Sequence, residues 1–274
     1  MQIEKKYSIT NGKQLWRIEI SDNEKLYVET RDKEKKEVFF SCFVLENGEP
    51  VFENFQFEEK FWIGIERIYK DIIYLHKYPK PDMPAHSEII AFDSASQKIL
   101  WSNDEYAFFF VHEDKVYGKK DTFGNVEYCI FDYLTGEKLD LNHEQEEIEK
   151  LALKVKSEAN YDDYEFPEVL DSGEEDESKI IKLISANLNG DDFTGKVEYA
   201  ILNNLLFTSV HKKLDNGKMN CLLFVNDMLS GELILSETTN ENLELFAADT
   251  FFIYKNYLII LKNQNELIVN LIKE

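Results

Sequence analysis

The side chains best able to do chemistry in this 274-residue chain are five histidines, three cysteines and 53 acidic residues. His76, His112 and His211 lie in or beside apolar, strand-like stretches, and His86 and His143 lie in connecting segments. None belongs to a His-x-x-x-His pair, and no Cys-x-x-Cys or Cys/His zinc spacing occurs, so spacing alone assigns no metal ligand. Asp162, Asp163 and Glu165 are close in sequence but lack the spacing and turn glycine of a calcium loop. No Gly-x-Gly-x-x-Gly and no phosphate-binding loop is present. A carboxylate pair for glycoside cleavage is defined by its separation in space, so an abundance of acids does not locate one. The sequence thus assigns no catalytic, cofactor or metal residue.

One stretch invites a chemical reading. In "SEIIAFDSASQKILW" (87–101) an aspartate precedes a small polar cluster, as in a nucleophile or metal loop. The pattern recurs, however, in "VFFSCFVLENGEPVF" (38–52), "VEYCIFDYLTGEKL" (126–139) and "CLLFVNDMLSGELIL" (221–235). Each has an apolar strand, a small-residue turn and a short final strand. Gly48, Gly136 and Gly231 occupy the turn, where a positive φ is required, and Gln97 replaces them in the second copy. Repetition argues against a unique active site. Asp93 reads as a turn-capping carboxylate, and Trp101 as a packing residue between repeats.

A second hairpin pattern precedes these turns. Its copies span 15–30, 62–78, 106–120, 197–212 and 251–263, with tight turns such as Lys70-Asp71 and Glu113-Asp114. Two hairpins make a four-strand unit. The fifth hairpin is followed by one strand only, 266–272, and the missing strand is available at 2–9. The sequence therefore predicts an all-β fold: a β-propeller of about five four-stranded blades closed by the N-terminal strand. The rival architectures are an irregular β-sandwich or two small barrels, and a divergent sixth unit could lie near 180–195.

Residues 143–193 break the repeat as a helical and acidic insertion. Asn142 and Gln145 have the spacing of an N-cap and its reciprocal partner. Ile148, Leu151, Ala152 and Val155 fall on one helical face. The insertion carries 16 acidic and 5 basic residues, half of the chain's net charge of −22. Its aromatic residues Tyr161, Tyr164 and Phe166 are candidate partner-binding anchors. A second candidate surface is the loop "HKYPKPDMPAHSE" (76–88), stiffened by Pro79 and Pro81 and carrying His86.

The Ala91-Phe92-Asp93 turn with Trp101, and Asp132, Thr135 and Gly136 in the next copy, resemble the repeat of quinoprotein-type propellers. That resemblance implies a tryptophan docking one blade on its neighbour. Phe52 and Leu235 stand at the tryptophan position in two other copies, and the family's cofactor-binding residues have no counterparts here. The segments "RDKEKKEVFFSCFVLENGEPVF", "EKFWIGIE", "IIYLHKYPKPDMPAHSEIIAFD" and "YEFPE" also resemble an uncharacterised bacterial family of unknown function. This likeness implies a shared architecture and no assigned activity.

The strongly acidic balance disfavours nucleic acid and anionic membrane as partners. No apolar run is long enough to span a bilayer, and Met1–Lys6 does not begin a signal peptide. Cys42, Cys129 and Cys221 lie far apart in apolar stretches, as buried thiols of a reducing cytoplasm do. The sequence reading is a single domain over 1–274, a cytoplasmic, non-catalytic binding scaffold for another protein, with no cofactor. The alternative is a carbohydrate-binding or glycoside-cleaving propeller with carboxylates at the tunnel mouth.

Overall fold

A computed structural model describes residues 1–78, 85–122, 124–139, 144–158, 161–171 and 177–273. The fold is all-β with two short helices, and the chain divides into two compact units. One comprises Lys13–Ala159; the other comprises Met1–Gly12 and Asn160–Glu274. Strand β1 (Gln2–Thr10) opens the chain and belongs to the second of these.

The unit Lys13–Ala159 holds three antiparallel sheets, each built from strands consecutive in sequence. The first has β2 (Gln14–Ile20), β3 (Lys25–Asp32), β4 (Glu37–Val44) and β5 (Pro50–Phe55). The second has β6 (Ile63–Tyr69), β7 (Ile72–Lys77), β8 (Ser87–Asp93) and β9 (Lys98–Asn103). The third has β10 (Ala107–His112), β11 (Lys115–Thr122) and β12 (Asn125–Asp132). Among the described residues, its expected fourth strand is a single bridge between Phe131 and Lys138. Helix α1 (Gln145–Ser157) follows, and Ile148, Leu151, Ala152 and Val155 pack beside Phe110, Tyr117 and Ile130. The cap differs from the expectation. It is Glu144, whose N–H donates to the Glu147 carboxylate at 3.2 Å, and Gln145 is the first helical residue.

The remaining unit has two sheets. Strands β13 (Tyr164–Glu165) and β14 (Glu168–Val169) come from the insertion, followed by helix α2 (Glu177–Asn187). Next are β15 (Phe193–Leu202), β16 (Leu205–Lys213), β17 (Met219–Asp227) and β18 (Leu233–Leu243). Strands β19 (Phe251–Tyr254), β20 (Tyr257–Lys262) and β21 (Glu266–Lys273) complete the chain. The sheet orders are β14-β15-β16-β17-β18 and β1-β21-β20-β19-β13. The N-terminal strand pairs with the last one as expected, Gln2 opposite Lys273 and Thr10 opposite Glu266. No sixth strand unit exists near 180–195. Ile180, Ile184 and Leu188 recur at helical spacing and are buried on α2.

Each sheet repeats the same local chemistry. The carbonyl of the first hairpin turn accepts a hydrogen bond from the N–H just past the third strand. The pairs are Glu24 with Leu45, Asp71 with Ser94, Asp114 with Tyr133 and Asn204 with Met228, at 2.8–3.2 Å, and in the last sheet Asn256 with Ile272, near the end of β21, at 2.8 Å. In the second hairpin turns, Asp93 accepts from the N–H groups of Ala95 and Ser96, and Asp132 from those of Leu134 and Thr135. Asp227 accepts likewise from Leu229 and Ser230. These bonds hold the Asp132 and Asp227 carboxyls below the ordinary value. The turn-cap reading of Asp93 therefore holds.

Within Lys13–Ala159, neighbouring sheets are joined by apolar packing and a few buried polar links. Tyr27, Phe40, Phe52 and Phe57 of the first sheet region pack with Ile63, Leu75 and Phe92 of the second. The Tyr27 hydroxyl lies 3.1 Å from Ser94 Oγ, and the Tyr74 hydroxyl donates to the Tyr133 carbonyl at 2.9 Å. Trp101 of β9 stacks on Phe131 of β12, and its indole N–H donates to the Tyr133 carbonyl at 3.1 Å. The expected docking role of Trp101 is thus seen. Among the described residues, no helix is long and apolar enough to cross a membrane.

Gly136 sits against that tryptophan with φ +71°, and a Cβ there would lie 2.5 Å from Trp101 Cγ. Gly124 has φ +94° but open space around it. Gly136→Ala should therefore cost about 2–4 kcal/mol in chemical denaturation, from backbone strain plus displacement of the indole. Gly124→Ala should cost only about 1–2 kcal/mol, the backbone term alone.

Candidate functional site

The candidate site lies in the unit Lys13–Ala159 and begins with an edge-strand problem. β6 is the first strand of its sheet, so one side of its backbone has no ladder partner. Side chains from β2 and β3 meet that demand. Arg31 donates to the Ile63 carbonyl at 2.9 Å, and Glu29 accepts from the Ile65 N–H at 3.0 Å. Arg17 donates to the carbonyls of Ile65 and Glu66 at 2.8 and 2.7 Å, and Glu19 accepts from the Ile68 N–H at 3.1 Å. Glu29 and Arg31 are themselves a buried ion pair at 2.7 Å, with side chains 1% and 5% exposed. Trp16 lies against the Arg31 guanidinium, its ring centre 4.8 Å away.

The backbone so held contains a β-bulge. Ile65 pairs with Leu75 and Arg67 with Tyr74, which leaves Glu66 as the extra residue. The first strands of the neighbouring sheets bulge in the same way, at Trp16 and Phe109. Of these three bulged residues, Glu66 alone carries a carboxylate. Glu66 Oε1 lies 2.5 Å from His86 Nδ1 and 3.2 Å from His76 Nδ1. The two imidazoles stack in parallel with centres 3.6 Å apart, and Tyr78 meets both edge-on at 4.9 and 5.3 Å.

His76 is opposite Gly64 in the ladder. A Cβ on Gly64 would stand 3.0 Å from His76 Cε1 and 3.1 Å from Arg31 Nη2, so glycine leaves room for both side chains. The His76 side chain is 5% exposed, and its two ring nitrogens lack a hydrogen-bond partner among the described residues. Nδ1 is near Glu66 but off the line of a hydrogen bond. Burial pushes the Glu66 carboxyl upward, and the adjacent imidazoles outweigh it, holding the group below the ordinary value.

The fold thus gathers His86, a candidate from the 76–88 loop, with His76, a histidine to which spacing assigned no role, and Glu66, which the sequence reading did not name. Glu66 had a readable signal: like Phe109 in the next copy, it stands eight residues before the mid-strand tyrosine, Tyr74 or Tyr117. Pro79 and Pro81 lie outside the described residues, as does His143. His112 lies 3.6 Å from Glu113, and His211 accepts the Ala247 N–H at 3.0 Å beside Phe246, so neither joins this cluster. The thiols are spent on packing: burial pushes Cys42 up to about 12 and raises Cys221.

The three insertion aromatics lie in the other unit. β13 adds to the edge of β19, pairing Tyr164 with Tyr254, and β14 adds to β15, pairing Glu168 with Tyr199. Tyr164 stacks in parallel with Phe166 at 5.5 Å and packs on Tyr254 at 4.8 Å. Phe166 approaches Phe252 at 6.1 Å. Tyr161 and Phe166 remain 57% and 52% exposed. The insertion is therefore a cover for two sheet edges as well as an acidic excursion.

Two measurements probe the buried charges. Arg31→Met leaves Glu29 without its counter-ion and should cost about 3–5 kcal/mol in chemical denaturation. Adding Glu29→Gln should recover part of that loss, since it removes the orphaned charge and keeps an acceptor for Ile65. In the other unit, burial followed by the nearby Asp249 raises the Glu198 carboxyl above 4.5. The native state then binds this proton more tightly than the unfolded chain does. Stability from this group is present below pH 4.5 and falls as pH rises through the native value. Denaturation midpoints measured across that window should show a shallower decline for Glu198→Gln than for wild type.

Residues 20–101 match the family model described as "Domain of unknown function (DUF4905)". No curated protein matches the chain. Among solved structures, the chain is similar to a europium-containing methanol dehydrogenase at 13% identity and a TM-score of 0.32, covering 96% of this chain and 52% of that one. It thus spans about half the length of that enzyme. A member of the DUF4221 family from Bacteroides vulgatus matches at 10% identity and 0.32, covering 99% and 98%. The Cps50 (Swd1) β-propeller domain of Myceliophteria thermophila matches at 9% and 0.31, covering 98% and 89%. The segment matched by the family model contains Glu29, Arg31, Gly64, Glu66, His76 and His86, while Arg17 and Glu19 lie just before it.

Proposed function

We propose that this protein is a non-catalytic β-propeller scaffold that binds another protein, with the aromatic edge of the insertion as its docking surface. The propeller part is supported by the recurrence of one four-strand unit and by the pairing of the first strand with the last. On this reading five blades close into one ring, and a crystal structure with an open arrangement of sheets would overturn it.

The observation that carries the binding reading is the exposure of Tyr161 and Phe166. Both are more than half exposed although Tyr161 contacts the rings of Tyr164 and Phe166, and Phe166 those of Tyr164 and Phe252. Aromatic side chains that are rigidly stacked yet open to solvent suit anchoring, because little conformational freedom is lost on binding. The acids Asp162, Asp163 and Glu165 between them favour a partner with a basic segment and an apolar contact. A reducing compartment is part of this reading, since Cys42, Cys129 and Cys221 are free thiols.

The test is capture from a native lysate of the source cell by wild type and by a Tyr161→Ser/Phe166→Ser double variant. The variant should keep the wild-type far-ultraviolet circular dichroism and thermal midpoint, because both positions are exposed. Loss of a specific protein from the captured set is the expected result. An unchanged set, with the fold intact, would remove the aromatic edge from the proposal.

A further inference from the structure

We propose that Glu66, His76 and His86 form a binding site for a divalent transition-metal ion of the zinc type. This inference is independent of the partner-binding reading, since it concerns different residues in the other compact unit.

The donor set comes first. Glu66 offers a carboxylate oxygen and each histidine an imidazole nitrogen, and the three ligand atoms lie within 4.8 Å of one another. Two imidazoles and one carboxylate are a borderline-soft set, suited to zinc, cobalt or nickel rather than to calcium or magnesium. Three protein ligands leave at least one coordination position for water or another ligand, the arrangement of an exchangeable ion rather than a closed structural one.

The second, separate observation is the state of His76. Its side chain is 5% exposed and its two ring nitrogens have no hydrogen-bond partner among the described residues. A buried polar group left in that condition is destabilising, because its desolvation is not compensated, so an unpartnered buried imidazole needs an explanation. A metal ion between His76, His86 and Glu66 provides one.

Access and support also fit. The His86 side chain is 38% exposed and that of Glu66 16%, so an ion has a path from solvent while His76 forms the inner wall. Glu66 sits on a bulge whose neighbouring backbone groups are fixed by Arg17, Glu29 and Arg31. Gly64 leaves the space that the His76 ring occupies. The nearby Arg31 charge is matched by Glu29, so the pair adds little net repulsion toward a cation. The arrangement has an alternative content, a proton shared between Glu66 and the stacked imidazoles, and the experiment separates the two.

The experiment uses the full chain after treatment with a chelator, titrated with Zn²⁺ by calorimetry and with Co²⁺ by visible absorption. Wild type should bind one equivalent of either ion, with cobalt bands showing nitrogen ligation and a thermal midpoint raised by Zn²⁺. His86→Ala and the near-isosteric Glu66→Gln should each weaken binding by at least about tenfold, since even outer-shell losses cost that much. His112→Ala, outside the cluster, should bind as wild type does. Absence of one-equivalent binding by wild type, or binding unchanged in a folded His86→Ala protein, would overturn the proposal in favour of the shared proton. His86 is partly exposed, so its variant keeps the test decisive even where Glu66→Gln disturbs the bulge.

Discussion

The arrangement around Glu66 depends on how the free edge of β6 is satisfied. An antiparallel edge strand presents N–H and C=O groups that need partners once water is excluded. Here the partners are charged side chains from the preceding sheet: Arg31 and Glu29 at Ile63 and Ile65, Arg17 and Glu19 around Glu66 and Ile68. A buried ion pair of this kind contributes little net stability, because desolvation offsets most of the attraction. Its contribution is positional. With Arg17 and Glu19 holding the backbone beyond Glu66, the pair grips the strand before the bulge and so fixes where the Glu66 side chain leaves it. It also brings a cation and an anion together, so that neither imposes its charge on the histidines beside it.

The legible parts of this fold are those decided by neighbours in sequence. Turn carboxylates such as Asp93 and Asp132 are readable because an Asp two or three residues before its N–H partners is a local geometry. The pairing of β1 with β21 follows from counting strands per unit, and the role of Trp101 from its place in the repeat. Helix α2 was hidden because Ile180 and Ile181 are adjacent and β-branched, which suits a strand equally well until Ile184 and Leu188 are counted with them. The fourth strand of the third sheet is shorter than its repeat suggests among the described residues: a bridge at Lys138 with a backbone bond from the Leu139 N–H to the Ile130 carbonyl.

The site was less legible, for two physical reasons. Glu29 and Arg31 lie in a polar-looking stretch, "VETRD", which reads as the wet end of a strand; the structure buries both, because each neutralises the other and meets backbone groups of β6. Glu66, His76 and His86 come from three chain segments, and their meeting depends on bulges between Ile65 and Arg67 and between Leu75 and Lys77. Strict alternation predicts the wrong face beyond a bulge, since one extra residue reverses the side-chain sequence. Metal motifs written as fixed spacings assume one helix or one turn and miss such a set.

A repeat protein offers its own remedy. Positions where the copies agree report architecture, and positions where one copy departs report what that copy does differently. The bulge falls at the same register in β6 and β10, holding Glu66 and Phe109, and two residues away in β2, at Trp16. In β6 and β10 the bulge is therefore shared, and the carboxylate is a property of one copy. Two residues after the mid-strand tyrosines Tyr27, Tyr74 and Tyr117 stand Glu29, His76 and Lys119, so this register also varies while the tyrosine is kept. Where β6 and β7 meet, the departures fall together: a carboxylate at the bulge, an imidazole opposite Gly64, and a glycine where any side chain would strike that imidazole. Three departures that fit one another sterically are hard to attribute to the needs of the sheet, since the neighbouring sheets form without them. What they have in common is the placement of nitrogen and oxygen donors around one point.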